Sequence, residues 1–397
     1  MFCNYCGAPN PDFASFCSKC GKAVVRSPAS TPAQAQPLAD VTPPTPQSSA
    51  PAIVTPPDHA SVVAPVTPRT LTGHMLPIYS LAFSPDGRWL ASGSLDKTAK
   101  LWDVTGGREV RTFTGNLPFT CVEFSPDGRR LVLAATNGSP LDDTNPVANS
   151  LTLWDSASPN EARNFIGHEG QLFFVKFSPD GRLLASTDGG AAVNLWDVVS
   201  GHIIKVFKHG WLRSKLSGGD VGSSLAFSPD GRLLASRSLP VTLWDVSSGK
   251  EARAFSQESL SMYVSMFLGF TPDGRSLVEA KGGGKIRIWD VASGEATRCL
   301  ADPPKRSGVT FVLCCAALSP DGKLLAVSTY SSAEEPSHKV TLWDVAAGRT
   351  LGTVAGGDSC QALAFSPDGQ MLAIADMVYG GATPVGKIKI VRTSEIG

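Results

Sequence analysis

The chain has 397 residues, 42% of them hydrophobic, with 35 basic and 35 acidic side chains and a net charge of zero. That is enough apolar material for one large core plus a small appendage. It lacks the positive excess usual in nucleic-acid binders and membrane-surface proteins, so neither a nucleic acid nor a membrane is the expected partner.

The N-terminus opens Met1-Phe2-Cys3-Asn4-Tyr5-Cys6, without an apolar leader or a small-residue cleavage site, and no run reaches 18 apolar residues. Four of the nine cysteines crowd into the first twenty residues as Cys3-Asn4-Tyr5-Cys6-Gly7 and Cys17-Ser18-Lys19-Cys20-Gly21. Four thiolates in two tight pairs supply a closed tetrahedral set for zinc, and a segment this short needs the metal to fold. Two disulfides or a redox dithiol are the alternatives. The first requires export and the second a βαβ context. The stretch resembles the short prokaryotic zinc-ribbon modules, and that resemblance implies a structural Zn2+ held by Cys3, Cys6, Cys17 and Cys20. Lys19, Lys22 and Arg26 are too few for a confident nucleic-acid surface, and the ribbon is expected over residues 1–26. The other cysteines, Cys121, Cys299, Cys314, Cys315 and Cys360, follow no spacing pattern. They read mostly as small buried hydrophobes of a protein in a reducing cytoplasm.

Residues 27–68 hold eleven prolines among Ala, Thr, Ser and Gln, with no apolar periodicity. Such a segment cannot bury enough surface to offset its ordering entropy, so a disordered, polyproline-biased linker is expected.

From residue 69 onward one stretch recurs. A Ser-Pro-Asp-Gly or Thr-Pro-Asp-Gly tetrapeptide begins at Ser84, Ser125, Ser178, Ser228, Thr271, Ser319 and Ser366. A Trp-Asp pair follows the first six, at Trp102, Trp154, Trp196, Trp244, Trp289 and Trp343, and Val391-Arg392 takes its place in the seventh. The first copy reads as four strands, a to d, over residues 78–83, 88–93, 98–102 and 109–113, with Ser-Pro-Asp-Gly turning a into b. Seven four-stranded units at a 41–53-residue period resemble the WD-repeat β-propellers. The periplasmic Tol-system and some peptidase propellers share the turn but lack regular Leu-Trp-Asp-Val endings. The expected fold is therefore all-β, a seven-bladed WD-type propeller over residues 69–397.

The seventh unit lacks a strand d of its own. The resemblance implies that residues 69–72 supply it by pairing with the strand ending at Val391, which closes the ring. It also implies a buried hydrogen-bonded tetrad of His74, Ser92, Asp96 and Trp102, structural rather than hydrolytic. Other repeats depart from that pattern. Asn116 replaces the histidine in the second, and the third keeps His168 but places Asp188 eight residues before Trp196.

The a–b and c–d turns keep constant length. The excess falls in b–c and d–a connections, at residues 136–150, 208–222, 301–308, 330–339 and 376–387, all expected on one face of the ring, the top. Within them Trp211, Arg213 and Lys215 combine hot-spot residue types with charge, and Asp142-Asp143 and Glu334-Glu335 make the face mixed in sign. Trp211 could equally pack down onto its own blade. The expected function is a non-enzymatic protein–protein interaction scaffold that holds a protein or peptide on the top face, with the ribbon as an auxiliary contact. Two alternatives stay open: an enzyme using the central funnel, and a nucleic-acid-associated factor acting through the ribbon. Neither the partner nor an oligomeric state follows from these features.

Overall fold

Strand b of the repeats runs apolar at consecutive positions, as in Leu131-Val132-Leu133-Ala134-Ala135, so it has two faces to bury, and a flat sheet of four cannot bury both by itself. The computed structural model describes residues 69–136, 149–155, 162–168, 172–188, 192–208, 224–236, 241–255, 265–301, 311–331, 337–355, 359–378 and 385–396. It solves the burial problem with seven four-stranded antiparallel sheets arranged as the blades of a propeller.

Blade 1 comprises β2 (Ile78–Phe83), β3 (Trp89–Ser94), β4 (Thr98–Asp103) and β5 (Arg108–Thr114). Blade 2 comprises β6 (Phe119–Phe124), β7 (Arg130–Thr136), β8 (Asn149–Asp155) and β9 (Ala162–Phe165). Blade 3 is β10 (Leu172–Phe177), β11 (Leu183–Asp188), β12 (Ala192–Asp197) and β13 (Ile203–Lys208). Blade 4 has the shortest strands, β14 (Leu225–Phe227), β15 (Leu233–Ser236), β16 (Thr242–Asp245) and β17 (Glu251–Ala254). Blade 5 is β18 (Ser265–Phe270), β19 (Ser276–Lys281), β20 (Ile286–Asp290) and β21 (Ala296–Ala301). Blade 6 is β22 (Phe311–Leu318), β23 (Leu324–Ser331), β24 (Ser337–Asp344) and β25 (Arg349–Ala355).

Blade 7 takes β26 (Ser359–Phe365), β27 (Met371–Val378) and β28 (Val385–Arg392) from one end of this region, and its outer strand β1 (Arg69–His74) from the other. Arg69 pairs with Ile390, Leu71 with Ile388 and Thr72 with Lys387. This is the closure that the resemblance to WD-repeat propellers implied. It covers the edge of β28 that would otherwise stand open.

The seven Ser/Thr-Pro-Asp-Gly turns share one geometry. The hydroxyl of the first residue donates to the aspartate carboxylate at 2.5–2.6 Å. The glycine N–H donates to the first residue's carbonyl at 2.8–2.9 Å. All seven glycines sit at φ between 67° and 71°, where a side chain would be strained, which is why the motif ends in glycine. The carboxylate also takes the N–H two residues on, Arg88 in the first copy, so strand b begins one residue later than its pattern suggests.

Two further periodic contacts join neighbouring blades on the turn side, the bottom. Six of the seven turn prolines lie against the next turn's glycine, among them Pro85 beside Gly128, Pro126 beside Gly181 and, across the closure, Pro367 beside Gly87. In five of the seven blades a basic residue of the outer strand also donates to the c–d turn of the following blade. Arg69 donates to the Thr105 carbonyl at 2.6 Å, Arg163 to Val198 at 3.2 Å and Lys205 to Val246 at 2.9 Å. Arg253 donates to Ala292 and Ser293 at 2.5 and 2.6 Å, and Arg298 to Ala346. Arg111, at the same register in blade 1, lies over the ring of Trp154 in blade 2, 5.6 Å from its centroid.

The core is a set of seam clusters between adjacent blades, each strung along a strand-c tryptophan or its equivalent. Leu71 of the closing strand is 2% exposed and sits in the seam with Ile78, Leu90 and Trp102 of blade 1 and Ile388 and Ile390 of blade 7. Truncating Leu71 to alanine is expected to cost about 3 kcal/mol in a denaturant titration followed by tryptophan fluorescence. Truncating the exposed neighbour Thr70 is expected to cost less than about 0.5 kcal/mol. Equal costs would mean that closure does not depend on this buried side chain.

Candidate functional site

Two arrangements bear on function: the polar chain inside blade 1 and the strand ends at the top of the ring. In blade 1, β1, β3 and β4 bring His74, Ser92, Asp96 and Trp102 into one run of hydrogen bonds. Trp102 Nε1 donates to Ser92 Oγ at 2.8 Å, Ser92 Oγ lies 2.7 Å from His74 Nε2, and His74 Nδ1 lies 2.8 Å from Asp96 Oδ2. Asp96 also accepts the Met75 N–H at 2.9 Å and the Thr98 hydroxyl at 2.6 Å. Burial alone would push the Asp96 carboxyl up, but the bonds from His74, Thr98 and Met75 hold it well below the usual carboxylate range.

Serine, histidine and aspartate in this order look like a nucleophilic triad, yet the surroundings remove that chemistry. His74 is 1% exposed and Ser92 is fully buried. The serine oxygen accepts from the indole on one side and bonds the imidazole on the other, so no substrate atom can approach it. What the arrangement does is tie three strands together with every polar atom satisfied.

The other blades vary the theme in ways the spacing alone does not disclose. In blade 3 His168 Nε2 lies 2.6 Å from Ser186 Oγ, which takes the Trp196 indole N–H at 2.7 Å. The fourth partner is Asn194, on strand c, with its amide 3.3 Å from His168 Nδ1. The aspartate of the sequence pattern, Asp188, ends strand b with its backbone opposite Leu172. Asn116 of the second repeat is exposed and joins no such run; Leu133 stands in the serine position there, fully buried. In blade 4 Trp244 Nε1 donates to Ser236 Oγ at 2.8 Å. Blade 5 puts a carboxylate where the serine would be: Trp289 Nε1 donates to Glu279 Oε2 at 3.0 Å, and Lys281 Nζ lies 3.8 Å from Glu279 Oε1. All three of Glu279, Lys281 and Arg287 are nearly fully buried, a charged seam that no residue spacing announced.

At the top, antiparallel order sends every b–c and d–a connection out of the same end of the blades. The strand ends flanking residues 137–148, 209–223, 302–310, 332–336 and 379–384 all lie there. Those intervening residues, with Trp211, Arg213 and Lys215 and both acidic pairs, lie outside the described residues. So do Cys3, Cys6, Cys17 and Cys20 and the Pro-rich segment. What the described part of the top adds is apolar and was not foreseen. Met75 is 74% exposed and Ile166 86%, both in d–a connections, while Val385 opens strand c of blade 7. A large apolar side chain at the foot of a d–a connection was the available signal.

Around the axis, the penultimate residues of the inner strands are Ala82, Glu123, Lys176, Ala226, Gly269, Ala317 and Ala364. Glu123 and Lys176 pair with each other at 2.6 Å. The other five carry no titratable group.

Comparison with known proteins agrees with this architecture. The family model of the WD domain, G-beta repeat, matches residues 66–103, 107–139 and 160–197, and a zinc-ribbon domain model matches residues 2–24. The chain is 25% identical over 282 residues to Protein tipD of Dictyostelium discoideum, covering 70% of this chain and 42% of that protein. It is 33% identical over 141 residues to a guanine nucleotide-binding protein subunit beta of Oryza sativa subsp. japonica, covering 35% of this chain and 36% of the relative. With the small ribosomal subunit protein RACK1 of Caenorhabditis elegans it shares 29% identity over 291 residues, 60% of this chain and 83% of that one. The matched region thus spans less than half the length of the first two relatives. The chain carries WD40 repeats folded as a seven-bladed β-propeller, behind a segment that matches a zinc ribbon.

The tetrad makes a pH-dependent contribution whose sign is set by Asp96. Its folded-state pKa is lowered, so the stabilisation is complete above the ordinary carboxylate range and is lost as pH falls through and below about 4. Asp96→Asn is expected to melt below the wild type at pH 7, with the gap narrowing steadily below about pH 4. A gap independent of pH would show that the ionised carboxylate is not what matters.

Proposed function

We propose that this WD40-repeat propeller is a non-enzymatic scaffold that holds a protein or peptide on its top face, with Trp211, Arg213 and Lys215 among the contacts. The observation that carries this reading is that the strand ends flanking all five length-variable connections lie at one end of the blades, while the Ser/Thr-Pro-Asp-Gly turns at the other end repeat almost unchanged. The exposed Met75 and Ile166 add apolar area to that same end. Two of the relatives are named as subunits of larger assemblies, which fits a chain that works by holding partners. Burial of the Ser92–His74 pair and the small residues around the axis support a reading without catalysis.

The ribbon is read as a Zn2+ module and as an auxiliary contact, and the domain limits as 1–26, 27–68 and 69–397. Four cysteine thiolates at Cys-x-x-Cys spacing suit zinc, since soft sulfur donors in a tetrahedral set leave no open position. Bound there, the metal would supply folding free energy rather than chemistry. A flexible tether between two weak contacts would raise their joint affinity through effective concentration.

Two experiments test these readings. Affinity capture with the full chain is expected to retain a protein that a Trp211→Ala, Arg213→Ala, Lys215→Ala variant loses by tenfold or more, about 1.4 kcal/mol. Undiminished capture by the variant would remove these residues from the interface. Metal analysis is expected to find about one zinc per chain in the wild type and none above background in Cys3→Ser, Cys6→Ser. Equal zinc in both would refute the ligand set.

A further inference from the structure

The junction between blades 6 and 7 is built unlike its neighbours. In blade 6 the register position that holds Arg163, Lys205, Arg253 or Arg298 elsewhere is Gly352, opposite Leu342, so the basic tether has no side chain to form it. The turn glycine of blade 7, Gly369, also departs from its six counterparts. Among the described residues, nothing lies within 4 Å of where its side chain would begin, whereas each of the others has the preceding proline against it. Ile396 packs into the outer part of this seam with Leu342, Ala326 and Ile374. The junction therefore lacks the basic tether that five of the others add.

At the inner end of the same seam two thiols face each other. Cys315 on β22 and Cys360 on β26 have their sulfurs 3.8 Å apart, and Cys315 Sγ lies 3.6 Å from the Cys360 carbonyl oxygen. Both residues sit beside register shifts in their strands, between Leu313 and Cys315 and between Cys360 and Ala362. Ser328 donates its hydroxyl to the Cys360 carbonyl at 3.4 Å, which anchors that side. Cys360 is fully buried, whereas Cys315 is half-buried. An oxidant arriving from solvent meets Cys315 first.

We propose that Cys315 and Cys360 are an oxidation site whose disulfide ties blade 6 to blade 7 and locks the ring at the junction that lacks the basic tether. With a peroxide as oxidant, the Cys315 sulfur attacks one peroxide oxygen and the O–O bond breaks. One water leaves and Cys315 becomes a sulfenic acid. The Cys360 sulfur then attacks the Cys315 sulfur, the S–S bond forms, the S–O bond breaks and a second water leaves. Two thiols have lost two electrons and two protons to one hydrogen peroxide, giving one disulfide and two waters. Closing 3.8 Å to a bonded distance of about 2.05 Å is within reach of side-chain rotation at two bulged strand positions. Burial and the neighbouring Cys360 raise the Cys315 thiol well above its usual pKa. The pair therefore stays reduced under mild conditions and answers to sustained oxidation rather than turning over as a peroxidase. Cys314, next in sequence, is the competitor. Its sulfur lies 3.9 Å from His338 Nδ1, and burial pushes its thiol up to about 11.

The test uses the full chain, exposed to graded hydrogen peroxide, mapped as peptides without reductant, and melted with tryptophan fluorescence as the readout. None of the eight tryptophans precedes Trp89, so the signal reports the propeller and is blind to any loss of zinc from the N-terminus. The expected result is a Cys315–Cys360 linked peptide and a melting temperature raised by about 5 °C, both reversed by dithiothreitol. The rise is expected to vanish in Cys315→Ser and in Cys360→Ala and to persist in Cys314→Ser. Each variant is compared with its own reduced form, so the cost of the substitution cancels. The proposal is overturned if peroxide leaves both thiols unlinked, if Cys360 links chiefly to Cys314, or if the linked form melts no higher than the reduced one.

Discussion

A blade of four strands is stable only while a neighbour covers each of its faces, so the whole structure depends on the ladder between β1 and β28. Without it blade 7 has three strands and an open edge, and the seam holding Leu71, Trp102, Ile388 and Ile390 loses one wall. Every other blade is formed by strands consecutive in sequence, joined by connections of at most twelve residues, at modest loop-closure cost. Blade 7 alone joins the two ends of the repeat region. It converts a row of local hairpins into one ring.

Within that ring the seven blades obey different internal rules. Blade 1 satisfies a buried serine, histidine and indole with a low-pKa aspartate, and blade 3 does so with an asparagine from strand c. Blade 5 buries a glutamate, a lysine and an arginine against its tryptophan, while blade 2 fills the same position with leucine. These solutions are interchangeable because the constraint is physical: a buried polar group must find its partners, or be absent. A blade does not need the tetrad, only closure of the accounting around its strand-c residue. Removing one member of a satisfied set is therefore more harmful than never having had the set.

Much of this was legible in the residues, and the misses have specific causes. The turns were readable because Ser-Pro-Asp-Gly encodes a local backbone geometry, down to the positive φ of its last residue. The inter-blade tether was equally periodic, with Arg111, Arg163, Lys205, Arg253 and Arg298 each nine residues after a strand-c tryptophan. It escaped notice because lysine and arginine on an outer strand look like ordinary solvent-facing charge. Only the position of the next blade's turn carbonyls shows what they hold. Asn194 lay beyond the spacing because counting along the chain cannot tell which side chains meet a histidine across two strands. Cys315 and Cys360 are 45 positions apart, and their meeting is a property of neighbouring blades.

The division of labour follows from the range of the forces involved. By itself the sequence determined the number of blades, the strand order within each and the sharing of the last blade between the two ends of the repeat region. The first two rest on local turn chemistry and on the patterning of apolar residues, which act over a few positions, and the third on the resemblance those patterns establish. It also marked which connections vary in length. Tertiary structure decided which polar residues complete each blade, which basic side chains bind the blades together and where two distant thiols come into contact. Those outcomes depend on the rotation of one blade against the next, and that angle is set by packing across the seams.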